Sequence, residues 1–212
     1  MTRRHPLWTA YEQPTQEQVA AARVDHDSWS TESVEVVPPD RAWSEWFAAV
    51  RDRVVGALGD RALTVEHVGS TAVPGLWAKP VVDVDVTVAD VEDEDSWLPA
   101  LQDAGFVLRV REPDWQGHRL VRGEDPPANV HVWPVSAVEP RRHVVFRDWL
   151  CTHEDDREQY AEAKRAAASR GFTDVMLYNN EKAGVIYDLY EKMFAADPDH
   201  EHDPVPRQVV RQ

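Results

Sequence analysis

The sequence predicts a single α+β domain with an open, mixed β-sheet followed by a helical C-terminal third. Five short segments alternate apolar and polar residues or are rich in valine, as strands are: 62–68, 81–88, 106–111, 118–122 and 129–135. Beyond residue 140 the apolar residues recur at helical spacing, over 141–152, 154–169 and 174–195. Strands followed by a run of helices are typical of α+β folds.

The chain before the sheet divides into an extension and the start of the domain. Residues 1–32 are expected to form an N-terminal extension with a short helix over 15–24, and 34–37 an edge strand ended by two prolines. Asp40 is a suitable N-cap for a helix that runs to about residue 58. The apolar residues of that helix lie at helical spacing and predict a core face: Trp43, Trp46, Phe47, Val50, Val54 and Leu58.

The domain boundaries follow from the remaining pattern. A helix over 95–104, ended by Gly105, is expected between the second and third strands. We expect the domain to span 33–196, with the sheet in 33–139 and the helical part in 140–196. Residues 197–212 are acidic and contain prolines, so they are expected to form a mobile tail that does not pack.

Charge and composition narrow the range of partners. Acidic residues outnumber basic ones 38 to 23, and the formal charge of -15 would repel the phosphate backbone of duplex nucleic acid. The single cysteine excludes an intramolecular disulfide, and no apolar run approaches the roughly 20 residues that cross a bilayer. We therefore expect a cytoplasmic protein with no membrane or duplex nucleic acid partner. A small phosphorylated ligand accompanied by a metal cation is still compatible with this charge.

Two aspartates lie on one face of the second predicted strand. Side chains alternate between the two faces of a strand, so Asp83 and Asp85 point the same way, with their Cα atoms about 6.5 to 7 Å apart. Two such carboxylates repel each other unless a cation lies between them, and Mg²⁺ prefers carboxylate oxygens. Taken alone, the pair also fits a solvated edge strand.

A glycine and two hydroxyl residues directly follow the first predicted strand. Gly69, Ser70 and Thr71 can open a turn whose free backbone N–H groups bind an anion such as a phosphate. The chain between Ser70 and Asp83 is long enough to return the carboxylates to the side of this turn. The order and spacing of the two motifs together predict a phosphate and metal site.

The run EHVGSTAVPGLWAKPVVDVDV closely resembles the signature of GrpB-family proteins. This family is a branch of the nucleotidyltransferase superfamily, which includes DNA polymerase beta and the kanamycin nucleotidyltransferases. The resemblance spans about residues 33 to 196 and includes further matching residues: His131 in NVHVWP, FRDWL at 146–150, Tyr160 with Lys164, and Tyr178 with Lys182.

The resemblance implies a nucleotidyltransferase-like sheet flanked by helices. It also implies binding of ATP or another nucleoside triphosphate with Mg²⁺ or Mn²⁺, and transfer of a nucleotidyl group to a small acceptor. In that reading Gly69, Ser70 and Thr71 contact phosphates, whereas Asp83 and Asp85 are catalytic and hold the metal.

The later strand departs from the superfamily pattern. Active members usually carry a third Asp or Glu there, and this sequence has His131 instead. Three roles are open for His131: a general base, a nitrogen ligand that favours a softer metal than Mg²⁺, or a hydrogen-bonded structural residue.

Three cations are candidates for contacting phosphate: Lys79, Arg119 and Lys182. Each also fits an ordinary exposed side chain. The pairs Tyr160 with Lys164 and Tyr178 with Lys182 could line the acceptor or base side of a cleft, and helix packing explains them equally well. His67 is expected to support the turn rather than to act in catalysis.

A second candidate function is a non-catalytic accessory or ligand-binding domain of the kind associated with dephospho-coenzyme A kinase. The missing third acid favours this alternative, whereas the two aspartates and the Gly-Ser turn favour the enzyme. The sequence contains no P-loop of the form GxxxxGK[ST], so this chain is not expected to be a kinase itself.

Overall fold

A computed structural model describes residues 2–10, 12, 14–24 and 33–205. The described helices are α1 Gln16–Ala22, α2 Ala42–Leu58, α3 Leu98–Asp103, α4 Glu139–Thr152, α5 Glu154–Ser169 and α6 Val175–Ala196. The strands are β1 Thr64–Val68, β2 Val82–Val88, β3 Val107–Glu112, β4 His118–Glu124 and β5 Pro127–Pro134. None of the helices in these ranges has the length and apolar composition needed to cross a bilayer.

The strands form one open, mixed sheet in the order β1-β2-β5-β4-β3. β2 and β5 run parallel at its centre, and the other neighbouring pairs are antiparallel. A parallel pair needs a long crossover, and here α3, β3 and β4 lie in the chain between the two central strands. The predicted α+β class with a mixed sheet and a helical C-terminal third is confirmed.

One face of the sheet carries the main core. Val82, Val84 and Val86 of β2 have no exposed surface and pack with the apolar stripe of α2 and with residues of α3. Trp43, Val50, Val54 and Leu58 of that stripe are buried, as their spacing predicts. Because side chains alternate along β2, Asp83 and Asp85 lie on the other face, toward α4.

The three C-terminal helices form a second core of their own. Phe146 and Leu150 of α4, Tyr160 of α5, and Leu189 and Phe194 of α6 are buried together. Val73, Leu76 and Leu7 join the same cluster. The helical part is thereby fixed beside the polar face of the sheet, and a cleft lies between them.

Two predicted elements differ in extent from the structure. The segment 34–37 is not a strand of the sheet, since only Val37 pairs, with Ala78. Pro38 and Pro39 follow at once, and prolines lack the N–H groups that a ladder requires. The helix predicted over 95–104 begins later, at Leu98, after a 3₁₀ turn over Glu94–Ser96.

The prediction that the tail does not pack is wrong for residues 197–205. Glu191 of α6 accepts hydrogen bonds from the Val205 backbone N–H and lies 2.8 Å from His202 Nε2, whose side chain is fully buried. Asp203 pairs with Arg3 of the N-terminal extension. These polar residues pack because they satisfy one another across the two ends of the chain. The domain boundaries themselves, and residues 206–212, which lie outside the described chain, stay predictions.

Candidate functional site

The turn after β1 brings the backbone directly against Asp83. Gly69 has φ +69°, in the left-handed region that favours glycine, and a Cβ there would overlap Asp83 Oδ2. A single 3₁₀ turn over Ser70–Ala72 follows. Only glycine allows both this backbone conformation and this close approach, so the predicted proximity of the Gly-Ser turn to the strand carboxylate is confirmed.

Thr71, within the turn, contacts His67 of β1, and this contact supports the turn. Thr71 is 8% exposed, and its hydroxyl lies 3.1 Å from His67 Nε2. The His67 ring stacks on Phe47, and burial lowers the pKa of His67 to about 4. The expected supporting position of His67 agrees with this geometry. Thr71 turns toward His67, so the structure does not place its side chain as a phosphate contact.

The register of the two central strands brings four polar side chains together. Asp83 of β2 lies opposite Asn129 of β5, and Asp85 lies opposite His131. The side-chain Nδ2 of Asn129 donates to Asp83 Oδ1 over 2.9 Å, and Arg122 of β4 donates to the side-chain Oδ1 of Asn129 over 3.1 Å. The expectation that Asn129 and His131 share the face of the two aspartates is confirmed.

Asp85 is buried and already paired. It is 1% exposed, and its Oδ1 accepts from the Trp133 indole N–H over 3.0 Å. Its Oδ2 lies 2.8 Å from His143 Nδ1, and Glu139 approaches the other side of that imidazole at 3.6 Å. Burial opposes both charges, but the mutual attraction outweighs it, so the pKa of Asp85 lies below its usual value and that of His143 above. Asp85 therefore offers no free oxygen to the cleft.

Asp83 faces the cleft with a different set of neighbours. Burial disfavours its charge, but the His131 imidazole, the Asn129 amide and Lys79 together hold the pKa of Asp83 well below its usual range. Its side chain is 31% exposed. Asp83 is therefore an ionised carboxylate that a ligand can reach.

His131 is the end of a chain of hydrogen-bonded groups. Its Nδ1 lies 2.9 Å from His118 Nε2, and His118 Nδ1 lies 2.7 Å from Glu112 Oε2. Burial lowers the pKa of His118 well below its usual value and raises that of Glu112. The other ring nitrogen of His131, Nε2, lies 3.8 Å from Asp83 Oδ1. His131 is thus held from behind and presents one nitrogen to Asp83.

Three lysines converge on the Asp83 side of the cleft. Lys164 of α5 is 2% exposed and donates to the Trp77 carbonyl, and Lys182 of α6 lies 3.5 Å from the Tyr160 hydroxyl. Burial, with Lys182 and Arg122 opposing the attraction of Asp83, lowers the pKa of Lys79 to about 8. Burial and the other two lysines hold the pKa of Lys164 well below its usual range.

Two tyrosines line this cluster. The Lys79 and Lys182 ammonium groups lie 5.7 and 5.3 Å from the centre of the Tyr178 ring, and that of Lys164 lies 5.1 Å from the Tyr160 ring. The Tyr178 hydroxyl is buried and has no hydrogen-bond partner among the described residues. The predicted candidates Lys79 and Lys182 are therefore brought together at the Tyr178 ring, and Lys79 also interacts with Asp83.

Arg119 is not brought to this site, contrary to the prediction. It pairs with Val132 in the β4–β5 register, which puts it on the face of the sheet opposite His131. There its Nε donates to Glu94 over 2.7 Å, and only 6% of the residue is exposed. Arg122, three residues further on, lies on the site face instead.

A cavity of about 160 Å³ extends the cleft between the sheet and the helices. Gly69 and His143 line its sheet side, and Phe146, Leu150, Tyr160 and Tyr190 supply an aromatic and apolar wall. The cavity is partly open and smaller than a typical ligand pocket, but its apolar wall with a few polar groups at one side is the kind of lining that small-molecule sites have.

Sequence reasoning missed two residues of the site, Arg122 and His143, and placed Lys164 only as a residue that could line the cleft together with Tyr160. Arg122 could have been found, because it lies seven residues before Asn129 in an expected hairpin of neighbouring strands. The position of Lys164 four residues after Tyr160 was a weaker signal. Nothing in the sequence signals His143, since α4 reaches Asp85 only through tertiary packing.

The fold and the cleft define a mixed α+β protein with a reachable carboxylate, a glycine turn and converging lysines at one end of its central strands. Comparison with known proteins gives the family. The family model described as GrpB protein matches residues 33–192, and the chain belongs to the GrpB family.

Relatives and a solved structure agree with this assignment. The chain is 39% identical over 160 residues to the UPF0157 protein BH1888 of Halalkalibacterium halodurans, covering 76% of this chain and 82% of that protein. The crystal structure of conserved protein GrpB from Enterococcus faecalis superposes with a TM-score of 0.67 at 26% identity, covering 76% of this chain and 97% of that one.

A protein of Mycolicibacterium paratuberculosis named dephospho-CoA kinase is also similar. It is 32% identical over 190 residues, covering 75% of this chain but only 46% of that protein. The matched part is therefore about half of that longer relative.

Proposed function

We propose that this protein binds a nucleoside triphosphate, ATP or another, together with Mg²⁺ or Mn²⁺ in the Asp83 cleft and transfers a nucleotidyl group to a small acceptor. The observation that carries the proposal is the position of Asp83, an ionised, reachable carboxylate between the Gly69 turn and three lysines. A carboxylate that can hold a cation and ammonium groups that can hold phosphates are both needed for such a ligand.

The lysine cluster supports an anionic ligand. Burial lowers the pKa of Lys79 and of Lys164, repulsion between the neighbouring lysines adds to this, and Asp83 is the carboxylate that counters it in both. A phosphate group would relieve the repulsion, and the unpaired Tyr178 hydroxyl would add a donor. In a chain with a net charge of -15, such a concentration of positive charge favours a ligand site over a solvated surface.

The donor set fits one divalent cation rather than a pair held by both aspartates. Mg²⁺ is commonly bound through one or two carboxylates with phosphate oxygens and water completing its shell, and Asp83 can supply the carboxylate. Asp85 can join only after His143 leaves its Oδ2 atom. We therefore propose that Asp83 holds the cation, whereas the sequence alone predicts that Asp83 and Asp85 hold it together.

The bound cation would screen the charge on the α-phosphate, which forms a bond to the acceptor oxygen as its bond to the leaving pyrophosphate breaks. The residues of the chain have the remaining tasks in this proposal. The lysines orient the phosphates, and the backbone at Gly69 and Ser70 lies beside them. His131 presents Nε2 to the cleft, where it can take a proton from an acceptor hydroxyl.

A binding module without turnover is the second candidate. Two observations favour it: a histidine stands where active nucleotidyltransferases carry an acid, and the similar dephospho-CoA kinase is about twice as long as the matched part. In this alternative the cleft would bind a nucleotide or related phosphate ligand for a partner or a fused domain.

Calorimetry with ATP and GTP, each with and without Mg²⁺, tests the proposal. We expect binding that requires the cation, and Asp83→Asn should lower the affinity at least about 10- to 100-fold, a range found even for outer partners of metal ligands. Asp52→Asn is the matched control, because Asp52 is exposed on α2 and pairs only with its neighbour Arg51 among the described residues. Equal affinity in wild type and Asp83→Asn would contradict the proposal.

Product analysis separates the two candidates. Incubation with ATP, the cation and a panel of small hydroxyl, amine and carboxyl acceptors should release pyrophosphate if the protein is an enzyme, which ³¹P NMR detects. Nucleotide binding without pyrophosphate for any acceptor would favour the module.

A further inference from the structure

We infer that the cavity beside Gly69 is a binding site for a single aromatic ring, and that the acceptor of the proposed reaction carries this ring. The second part of the inference rests on the proposed function and names its acceptor class, a small aromatic alcohol or amine. The first part concerns the cavity alone and is tested without nucleotide.

The size of the cavity selects one ring. Its volume is about 160 Å³. A protein cavity of about 150 Å³ lined by leucine, isoleucine and phenylalanine binds benzene. The cavity beside Gly69 has the same kind of wall, formed by Phe146, Leu150 and Ile186 together with two tyrosine rings. One benzene ring nearly fills such a volume and leaves no room for several further groups around it.

Three helices form the wall, and their packing fixes it in place. Phe146 and Leu150 belong to α4, Tyr160 to α5, and Ile186 and Tyr190 to α6. The Phe146 ring lies 5.9 Å from the Tyr160 ring at an angle of 60°, and 4.6 Å from the Tyr190 ring at 43°. Inclined rings of this kind offer edges and faces against which a further ring packs well. A wall that is already ordered also reduces the entropy lost on binding.

The two basic side chains that line the cavity are engaged with other groups. His143 lies 2.8 Å from Asp85, and Arg147 donates to the His67 carbonyl oxygen over 2.9 Å and lies 3.2 Å from Glu66 Oε2. An anion that entered the cavity would lose its hydration without gaining these cations as partners. The cavity therefore favours a neutral, apolar group.

A nucleobase is the main competitor for this cavity, because it is also flat and aromatic. Its ring nitrogens and exocyclic groups, however, need hydrogen-bond partners when they are buried. Phe146, Leu150 and Ile186 have no polar side-chain atoms to supply them. A ring of carbon atoms buries no such groups, so it fits this wall better than a base does.

The position of the cavity connects the ring to the proposed metal and phosphate site. Gly69 lines the cavity and also lies against the Asp83 carboxylate. A substituent that leaves the cavity past Gly69 therefore meets Asp83. On the helical side, the Tyr160 ring lines the cavity while its hydroxyl lies 3.5 Å from Lys182 Nζ. An aromatic ring with a hydroxyl or amine on a short linker can thus occupy the cavity and reach the proposed nucleotide.

The first test is NMR of Ile186, which is the only isoleucine in the chain. A protein labelled with ¹³C at the isoleucine δ1 methyl group therefore gives one resonance, and it comes from the cavity wall. Benzyl alcohol is the probe, without nucleotide or metal. We expect a saturable shift of this resonance from the ring current of the bound ring, and no shift with ethanol, which has the hydroxyl without the ring.

A bulkier probe tests the size of the site. 2,4,6-Trimethylbenzyl alcohol should bind at least about tenfold more weakly than benzyl alcohol, because overfilling a fixed wall is unfavourable. An Ile186 resonance that benzyl alcohol leaves unshifted, or equal affinity for the two alcohols, would overturn the inference.

The second test fills the cavity by Ile186→Trp. Leu177→Trp is the matched control, because Leu177 lies on the same helix and is 48% exposed. Ligand-observed NMR should show benzyl alcohol binding weakened at least about tenfold in Ile186→Trp and unchanged in Leu177→Trp. MgATP affinity should equal that of wild type in both variants. Unweakened benzyl alcohol binding in Ile186→Trp would refute the site, and the wild-type comparison of the two alcohols decides the matter if this variant does not fold.

Competition with MgATP tests whether the ring belongs to the acceptor. We expect wild type to bind benzyl alcohol as tightly in saturating MgATP as without it. Displacement of benzyl alcohol would show that the base occupies the cavity and would overturn the acceptor assignment. If benzyl alcohol binds and MgATP does not, the proposed function fails together with the acceptor assignment, and the ring site alone stands.

Discussion

Asp83 and Asp85 lie on the same face of one strand, yet their two surroundings differ. At the Asp85 end, Trp133 and His143 each form a hydrogen bond with one carboxylate oxygen, and the carboxylate is buried. At the Asp83 end, one oxygen accepts from Asn129 and the rest of the carboxylate meets the Gly69 turn and the cleft. The difference shows that a shared strand face does not give a shared role. His143 is the partner of Asp85 within the chain, whereas the Asp83 carboxylate is accessible from the cleft.

The largest expected effect is a loss of stability in Asp85→Asn. The substitution removes the main partner of the His143 imidazole, whose side chain is 25% exposed. The loss should therefore lie near the lower end of the about 3 to 5 kcal/mol of unfolding free energy that breaking a buried ion pair costs. Asp83→Asn should cost about 1 kcal/mol, the net value of an ordinary hydrogen bond. Urea denaturation of the two variants at pH 7 measures the contrast. Equal losses of unfolding free energy in the two variants would mean that the surroundings of Asp83 and Asp85 do not differ as described.

This contrast marks how much of the site could be predicted from the sequence. Strand alternation placed Asp83 and Asp85 on one face of their strand, and Asn129 and His131 on one face of another, because a period of two depends only on local geometry. The pairing of β2 with β5 makes these two faces one. The partner of Asp85 could not be predicted, since His143 lies on a helix whose orientation is set by packing of Phe146 and Leu150 into the second core. The fold class was predictable for the same reason as the shared face of the two aspartates, because the periodic spacing of apolar residues in strands and helices is a local pattern.

Charged residues were the least predictable part. A lysine such as Lys164 is typical of an exposed helix face. It is buried only because α5 packs so that its ammonium group donates to the Trp77 carbonyl. Arg119 alternates with His118 along β4, but the sequence alone does not tell which of the two faces the site. The tail was misjudged because its partners, Arg3 and Glu191, are distant in the sequence or lie on another element.

The dependence of unfolding free energy on pH should distinguish the Asp83 end of the cleft from the Asp85 end, because different histidines affect the acid and the alkaline ranges. His67, which supports the Asp83 end, has its pKa lowered to about 4, so the unfolded chain binds a proton first as the pH falls below about 6.5. Stability should therefore fall between pH 6.5 and 4, by about 2 to 3 kcal/mol. His143, at the Asp85 end, has a raised pKa, so its contribution is complete below about 6.5 and is lost as the pH rises through its folded value.

Unfolding midpoints from pH 4 to 9 test this separation. His67→Gln should remove the part of the acid-side loss that His67 contributes, while the loss due to His118, whose pKa burial also lowers, persists and the alkaline side is unchanged. His143→Gln should lower stability at neutral pH and flatten the alkaline side. If either variant flattens the opposite side, the assignment of the two histidines to the two ends is wrong.

The smallest effect concerns the lysines, and it tests whether the Asp83 end attracts anions without metal. Tripolyphosphate is the probe, because it carries the phosphates of a nucleotide without a base. Lys182→Gln should weaken its metal-free binding about tenfold, near the lower limit for loss of a charge-assisted contact. Lys192→Gln is the matched control, since Lys192 lies on the same helix but pairs with Asp156.

The Asp83→Asn variant completes that test, because it should change tripolyphosphate affinity in the opposite direction from Lys182→Gln. Without a cation, the Asp83 carboxylate repels tripolyphosphate across the cleft, so Asp83→Asn should tighten metal-free binding while it weakens Mg²⁺-dependent binding of ATP. Asp85→Asn, if folded, should change neither by more than a few fold, because the Asp85 charge is already balanced by His143. Both lysine and aspartate effects should shrink as ionic strength rises. Tighter tripolyphosphate binding in Asp85→Asn than in Asp83→Asn would show that the anion enters at the other end of the cleft and would reverse the roles assigned to the two carboxylates.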